Sequence, residues 1–272
     1  RLPNQENSSK NDNYGLTFNG SGEYIDLGNI TELQNASVTT WNLWVNFTSA
    51  NFNIVFGKDL VGTTDAIQFY TWGSGVGYFF LKTAGTSVTA AITTLVGGLV
   101  NTGDWNMFTI VFDGSETGND RLKIYLNDGS TNIITGYSGT VPATLPNTTD
   151  SLYIGKGLNG DFDGSISEFS IFNYALTSTQ ISTLYGSSSL GSGNPMALKP
   201  QPVAYYPLGD NSASNPLTQP NVAVEDATVF DFDGSSDFID LGTTTDYNNG
   251  DLTGAIWVKA SSSRSTTVYA FS

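Results

Sequence analysis

The 272 residues are enough for one complete sandwich-sized domain with more chain beyond it. Because the sequence has no Cys and no His, it excludes disulfides, thiolate or imidazole metal sites, Ser-His-Asp triads and Cys-His nucleophiles. The 25 acidic residues outnumber the 10 basic ones, and the net charge of −15 repels nucleic acid and anionic membranes.

Aromatic residues and glycines set the expected fold class. The sequence holds 16 Phe, 13 Tyr and 5 Trp, and such side chains suit the half-buried surface of a pleated sheet. The 30 glycines lie with Ser, Thr and Asn between apolar runs, as in turns. These features predict an all-β protein. The most apolar window, residues 89–100, is too short and too rich in Thr and Gly to span a bilayer, so we expect no membrane insertion.

One short sequence segment, which we call the repeated text, occurs twice in the chain. Residues 18–28 (FNGSGEYIDLG) return as residues 232–242 (FDGSSDFIDLG), so that Asp26 and Asp240 are 214 residues apart. Each copy holds an aromatic residue, a Gly-Ser turn and an alternating segment, which predicts the two strands of a hairpin. Residues 1–13, ahead of the first copy, are polar without periodicity and are predicted to be an arm or a linker.

The strand that follows the first copy has an unexpected tryptophan. Residues 37–47 alternate, and their apolar face is formed by Trp41, Leu43, Val45 and Phe47. Trp44 lies among polar residues on the opposite face and recurs as Trp257 in the second copy. Further strands are predicted at residues 53–58, 66–72, 77–81, 87–93, 105–113, 121–127, 152–155 and 164–172.

A short helix is predicted at residues 178–185 after the last of these strands. Thr177 is placed to cap it, with Gln180 three residues on as the second half of a capping box. Leu176 and Ile181 occupy the positions of a hydrophobic staple. Gly186 follows as the stop signal.

A change in composition marks a domain boundary. Residues 187–202 are rich in Gly, Ser and Pro, which is typical of a linker, so the first sandwich is predicted to span residues 14–186. Residues 203–272 begin with a new strand (VAYYPLG) and then repeat the text of the first copy. This second repeat is incomplete. Either the sequence is a fragment of a longer protein, or partner strands come from another molecule.

The combined text of the first copy resembles the laminin G-like, concanavalin A-like lectin/glucanase superfamily. The matching segments are FNGSGEYIDLG, LWVNF at residues 43–47, WNMFTIVFDG at 105–114, LKIYLNDG at 122–129, and the final strand and capped helix at 152–185. The resemblance implies a jelly-roll sandwich of two antiparallel sheets with one short helix near the domain end. The linker and restart at residues 194–210 also resemble segments of tandem repeats in phage and other viral structural proteins.

Two sets of residues are candidates for ligand binding. The rings of Trp44, Tyr70 and Trp72 are of the kind that stack on sugar rings, although such residues more often belong to a core; Trp44 in particular is expected to pack under the terminal helix. Asp161, Asp163 and Glu168 could offer oxygen atoms to Ca²⁺, which domains of the resembled superfamily often bind. The alternative for this second set is a loop of ordinary turn-forming aspartates.

These observations favour a non-enzymatic recognition or structural module of a larger repeat protein. We expect it on a virion surface, as a fibre or capsid-associated protein, or otherwise at an extracellular or cell surface. Its expected partners are glycans or neighbouring virion or surface subunits, including other copies in an oligomer. The alternatives are a bacterial surface adhesin, or an accessory or catalytic domain of a glycan hydrolase, which would need two carboxylates about 5 to 10 Å apart in a cleft.

Overall fold

The computed structural model describes residues 15–58, 65–129, 131–157, 160–186 and 193–208. The second copy of the repeated text, residues 232–242, lies outside these ranges, as does Trp257. The chain divides into two compact units after Asn221. The domain boundary at residues 202/203, which rests on composition and on the repeat, stays a prediction.

Strands dominate the described ranges. They are β1 (Leu16–Asn19), β2 (Ile25–Asp26), β3 (Val38–Phe47), β4 (Asn53–Lys58), β5 (Ala66–Trp72), β6 (Val76–Thr83), β7 (Thr86–Ile92), β8 (Trp105–Asp113), β9 (Leu122–Leu126), β10 (Gly136–Tyr137), β11 (Leu152–Ile154), β12 (Lys156–Gly157), β13 (Gly160–Asp161), β14 (Asp163–Phe172) and β15 (Ala204–Tyr206). The α-helix is α1 (Ser178–Tyr185), and short 3-10 helices cover Thr31–Leu33, Gly118–Arg121 and Pro195–Ala197. No helix in these ranges is long and apolar enough to cross a membrane.

The architecture is a jelly-roll sandwich of antiparallel sheets, which confirms the predicted fold class. One sheet has the order β1-β14-β3-β8-β9, with β15 also paired to β14, and the other has the order β10-β7-β6-β5-β4-β11-β2. A small third ladder joins β12 to β13. The main core lies between the two large sheets, because side chains from both contribute to one continuous buried cluster.

The repeated text does not form the predicted hairpin. Strand β1 pairs with β14 in one sheet, whereas β2 pairs with β11 in the other. Between them the chain turns through Gly20 and Gly22, both at positive φ, where glycine carries no Cβ penalty. The alternation of residues 18–28 reports strand structure correctly, but it cannot report which partner each strand finds. The text therefore marks the corner at which the chain crosses between sheets.

Strand β3 is buried on both faces. Its predicted apolar face lies in the main core, where Trp41 contacts the rings of Phe56 and Phe79 at centroid distances of 6.1 and 5.5 Å. Its other face carries Trp44, which belongs to a second buried cluster beneath α1. A strand buried on both sides is expected in the centre of a sheet, and β3 lies between β14 and β8.

Helix α1 closes this second cluster and has the predicted bounds. The Thr177 hydroxyl accepts a hydrogen bond from the Gln180 backbone N–H, and the Gln180 side chain accepts one from the Thr177 N–H. Leu176, Ile181 and Leu184 are buried against the sheet. Gly186 forms the C-cap at φ 84°. Both the capping box and the glycine stop are confirmed.

The capping box gives a direct test of how firmly α1 is held. We expect Thr177→Ala to lower the free energy of unfolding by about 1 kcal/mol, because the first helical turn loses its acceptor. Thr179→Ala is the matched control, since Thr179 is exposed within the same helix and alanine favours helix formation. Urea denaturation of both variants measures the difference; equal stability of the two would contradict the capping role.

Candidate functional site

The outer face of the seven-stranded sheet, turned away from the main core, carries aromatic side chains. Along β5, Ile67 and Phe69 point into the core, so the alternating residues Gln68, Tyr70 and Trp72 point outward. Strand β6 continues this face, because its register places Tyr78 directly opposite Tyr70. An outward row of aromatic residues on two neighbouring strands is unusual for a solvated sheet face, where polar residues prevail.

Four rings form one contiguous surface, which we call the aromatic platform: Phe52, Tyr70, Trp72 and Tyr78. The Phe52 ring meets that of Trp72 edge-on at 4.9 Å and that of Tyr70 at 6.1 Å. Tyr70 and Tyr78 stack, with centroids 5.2 Å apart and an interplanar angle of 27°. Trp72 is 57% exposed, so its indole is open to solvent while its neighbours fix its position. Such a surface offers flat apolar faces to a ligand.

The β5–β6 turn holds the end of the platform in place. It contains Gly73 and Gly75, both at positive φ. The loop of residues 94–100 packs against it, and the Val96 N–H donates to the Gly75 carbonyl at 2.9 Å. A Cβ at Gly75 would come within 2.1 Å of the Val96 oxygen, so only glycine allows this approach. The turn beside Trp72 is thus fixed from outside the hairpin.

The short ladder β12–β13 forms a wall beside the platform. It lies over β4, and glycines allow the contact: a Cβ on Gly160 would come within 2.3 Å of the Phe52 ring. A Cβ on Gly157 would come within 2.5 Å of Ile54 and within 3.4 Å of the Gln68 side chain. The ladder therefore covers the β4 side of the outer face together with Gln68 of β5, and it leaves Tyr70, Trp72 and Tyr78 partly or largely exposed.

Gln68 lies at the foot of this wall and carries an unused hydrogen-bond donor. Its side chain is only 6% exposed, and its Nε2 has no hydrogen-bond partner. A buried amide without a partner costs free energy, about 1–3 kcal/mol, so such groups are uncommon in native proteins. Gln68 lies on the same strand face as Tyr70 and Trp72.

The sequence identified only part of this surface. Tyr70 and Trp72 were predicted to bind a ligand; the structure places them on one sheet face, and ligand binding by them stays a prediction. Tyr78 was missed, although the glycine turn between β5 and β6 fixes the register that sets it opposite Tyr70. Phe52 and Gln68 had no sequence signal, because Phe52 lies in a loop and Gln68 becomes buried only when β12–β13 folds over β4.

Trp44, the third predicted ring, lies elsewhere. It is 1% exposed and stacks on Tyr185 of α1 at 5.6 Å with an interplanar angle of 11°. Its face is therefore closed to a sugar ring. The packing alternative, under the terminal helix, describes its position.

The two tryptophans give a contrasting pair of stability variants. We expect Trp44→Ala to destabilise the fold by about 3–5 kcal/mol, since it opens a cavity beneath α1. Trp72→Ala should change the free energy of unfolding by less than about 1 kcal/mol, because the ring is largely exposed. Chemical denaturation checks both; a Trp72 variant as unstable as the Trp44 variant would show that the platform is part of the core.

The predicted calcium ligands do not form a common site. Asp161 accepts a hydrogen bond from the Gly22 N–H at 2.9 Å, and Asp163 lies against Gly20 at the same turn. Glu168 lies further along β14, is buried, and accepts the Tyr205 hydroxyl at 2.5 Å. Within the described ranges, no three acidic side chains come close enough to hold a metal. The structure does not bring these three side chains together, and the carboxylates of Asp161 and Glu168 accept hydrogen bonds from the chain. Calcium binding stays a prediction without assigned ligands.

A separate cavity lies where the segment after β2 meets β15. It has a volume of about 280 Å³ and is lined by Asn29, Ile30, Glu32, Val203, Ala204, Tyr205 and Tyr206. Glu32 is the single carboxylate among these lining residues. The cavity therefore lacks the carboxylate pair that a glycan hydrolase would need.

The family of the chain follows from its sequence profile. The Laminin_G_3 profile, described as the concanavalin A-like lectin/glucanases superfamily, matches residues 19–182, more than half of the chain. The chain belongs to this superfamily. The match confirms the resemblance found in the sequence and agrees with the jelly-roll architecture. No curated protein sequence matches the chain.

Solved structures match the chain at low identity. Domain 4 of the arabinanase AbnA from Geobacillus stearothermophilus is 19% identical, with a TM-score of 0.47 over 61% of this chain and 73% of that one. The CBM40 of Ruminococcus gnavus IT-sialidase is 14% identical, with a TM-score of 0.49 over 64% and 97%. Domains LG4-5 of the mouse laminin alpha1 chain are 16% identical, with a TM-score of 0.44 over 60% and 44%. No ligand follows from similarities of this size.

The surroundings of Tyr70 in the aromatic platform shift the pKa of its phenol. Burial raises the pKa of Tyr70 above its ordinary value of 10.0, and the neighbouring Tyr78 raises it further. The phenol therefore stays protonated at neutral pH and can donate a hydrogen bond. A raised pKa in the folded state gives a contribution to stability that is present below about pH 10 and is lost as the pH rises through the folded pKa.

We therefore expect stability to fall at alkaline pH less steeply in Tyr70→Phe than in the parent chain. In Tyr78→Phe, the pKa of Tyr70 should move toward 10.0 without reaching it, because burial remains. Ultraviolet titration of phenolate absorbance and denaturation at several pH values measure both effects. An unchanged alkaline slope in the Tyr70 variant would contradict the assignment.

Proposed function

We propose that the first sandwich is a non-enzymatic glycan-binding module and that the aromatic platform is its binding surface. The observation that carries the proposal is the position of Trp72, a 57% exposed indole braced by Phe52 at 4.9 Å. A sugar ring packs its apolar face on an indole, and a rigid exposed ring loses little conformational entropy on binding. Membership of a superfamily that includes lectins agrees with this role.

Polar groups beside the rings supply the directional contacts. Gln68 offers a buried, unpartnered amide donor, and Tyr70 offers a hydroxyl that stays protonated at neutral pH. Sugar hydroxyls accept and donate hydrogen bonds, so they suit both groups. The net charge of −15 repels polyanionic glycans over the range of the Debye length. We therefore propose a neutral glycan as the ligand.

The composition of the platform strands supports a role without catalysis. Strands β4, β5, β6 and β7 contain no Asp and no Glu. A glycoside hydrolase that works with a pair of carboxyl groups needs a general acid on one side of the bond that it cleaves and a second carboxylate on the other. Incubation with glycans that bind, followed by analysis of released sugars, tests this point; cleavage by the purified chain would make it an enzyme.

Glycan-array binding of the 272-residue chain, with and without Ca²⁺, tests the main proposal. For a glycan that binds, we expect Trp72→Ala to weaken affinity at least about tenfold, or about 1.4 kcal/mol, because a stacking ring is lost. Met196→Ala is the matched control, an exposed apolar residue away from the platform. Absence of binding to any glycan in either condition would leave a purely architectural module.

Gln68→Leu separates binding from folding. Leucine keeps the volume but removes the unpartnered amide, so stability should stay equal or rise while affinity for the same glycan falls. Unchanged affinity in both Gln68→Leu and Trp72→Ala would move the site off the platform.

We further propose that the module stands on a virion surface, as part of a fibre or capsid-associated repeat protein. The repeated text, the acidity and the lack of cysteine support this setting, and a bacterial adhesin is the alternative. Antibody labelling of virions and of cells distinguishes the two locations.

A further inference from the structure

Phe80 adds a fourth ring to the outward face of β5 and β6, beyond Trp72, Tyr70 and Tyr78. Its neighbours Phe79 and Leu81 belong to the main core, so Phe80 points to the outer face, where it is half-buried. It follows Tyr78 along the same face of β6. Four residues, which we call the ring track, thus share this face: Trp72, Tyr70, Tyr78 and Phe80.

The ring track follows the direction of the strands. Trp72 belongs to the first outward row of the β5–β6 ladder, Tyr70 and Tyr78 face each other in the second, and Phe80 faces Gln68 in the third. Because outward side chains alternate along a strand, successive rows are about 6.5–7 Å apart. An aromatic ring therefore recurs at regular intervals over a length of about 13 Å.

The β12–β13 ladder bounds the track on the β4 side. A Cβ on Gly157 of this ladder would come within 3.4 Å of the Gln68 side chain, which is 6% exposed. In the third row, the accessible ring is therefore that of Phe80 on β6. The track shifts from β5 at its first row to β6 at its third.

Strand β7 leaves the other side of the track open. It places Ala91 opposite Tyr78 and Thr89 opposite Phe80, and both side chains are shorter than the rings beside them. The rings therefore stand along a lengthwise surface with a wall on one side and low ground on the other. A surface of this shape fits a long ligand better than a single small molecule, which is enclosed by a pocket.

The track is also free of charge. The chain carries 25 acidic and 10 basic residues, yet residues 66–81, which hold all four rings, contain none of either kind, and β7 contains none. Covering a charged side chain with a neutral ligand costs desolvation free energy. An uncharged ligand can lie along this surface without that cost.

We infer that the ligand of the aromatic platform is an extended chain of neutral sugars that lies lengthwise along the β5–β6 ladder, from Trp72 to Phe80. This inference rests on the proposed function and adds to it the length and direction of the ligand and a further binding residue, Phe80. Each ring in the track stacks on a successive part of the chain. Because the stacked sugars are linked, each further contact is made within one complex and raises the affinity.

Chain length gives the first test. Calorimetric titration uses cello-, manno- and xylo-oligosaccharides, each from the disaccharide to the hexasaccharide, as neutral unbranched probes. In at least one series, we expect the affinity to rise at least about tenfold from the disaccharide to the hexasaccharide, as the chain reaches successive rows of the track. Equal affinity at all lengths, or no binding in any series, would overturn the inference.

Phe80 gives the second test. Phe80→Leu keeps an apolar side chain but removes the flat ring, so we expect the hexasaccharide affinity to fall at least about tenfold and the rise with length to flatten. Phe80→Tyr keeps the ring and should preserve the rise. Urea denaturation of each variant shows whether the fold is retained. Parent-like binding of the hexasaccharide by folded Phe80→Leu would contradict the assignment of this residue.

Tyr153 is the matched control for direction. It points to the same outer face, because Leu152 and Ile154 of β11 belong to the main core, but β11 lies on the far side of β4 from the track. Tyr153→Leu should bind every oligosaccharide as the parent chain does. Weaker hexasaccharide binding in Tyr153→Leu, with none in Phe80→Leu, would show that the ligand crosses the strands and would overturn the inference.

The outcomes also separate this inference from the proposed function. A glycan on the array that depends on Trp72, together with no rise in affinity along any of the three series, would overturn the extended-chain inference and leave the binding surface in place. Absence of binding in both assays would remove both.

Discussion

A sandwich of two sheets has four faces, and its main core buries only two of them. The two outer faces of this protein are covered differently. The outer face of the six-stranded sheet is buried beneath α1, in a second cluster built around Trp44. The outer face of the seven-stranded sheet has no helix over it in the described ranges and keeps Tyr70, Trp72 and Tyr78 at its surface. The apolar surface left uncovered is the surface available to a ligand.

The candidate site is the part of the outer sheet face that the β12–β13 ladder leaves uncovered. The β12–β13 ladder covers β4 closely, because Gly157 and Gly160 admit side chains where a Cβ would clash. It leaves Gln68 buried but unpartnered, beside rings that remain open. The candidate site thus places a buried polar group beside flat apolar faces.

The edge of the six-stranded sheet is also covered by short segments of the chain. Strand β14 carries a bulge that divides its outer edge between β1 and β15, and Glu168 at the bulge is bonded to Tyr205. A residue that sequence spacing grouped with Asp161 and Asp163 as a metal ligand instead helps to hold a strand. Its chemistry depends on which segment of the chain lies beside it, and spacing along β14 carries no such information.

The sequence by itself determined the fold class, most strand positions, the inner face of β3 and the capped helix, because alternation and capping are local properties. Only the tertiary structure decided that the two arms of residues 18–28 enter different sheets, that Trp44 is covered by α1, and that Phe52 and Tyr78 join Trp72. Each of these depends on contacts between residues far apart in the chain. Periodicity in the sequence predicts the strand face on which a side chain lies. Which residue it contacts there depends on how the sheets and the helix pack.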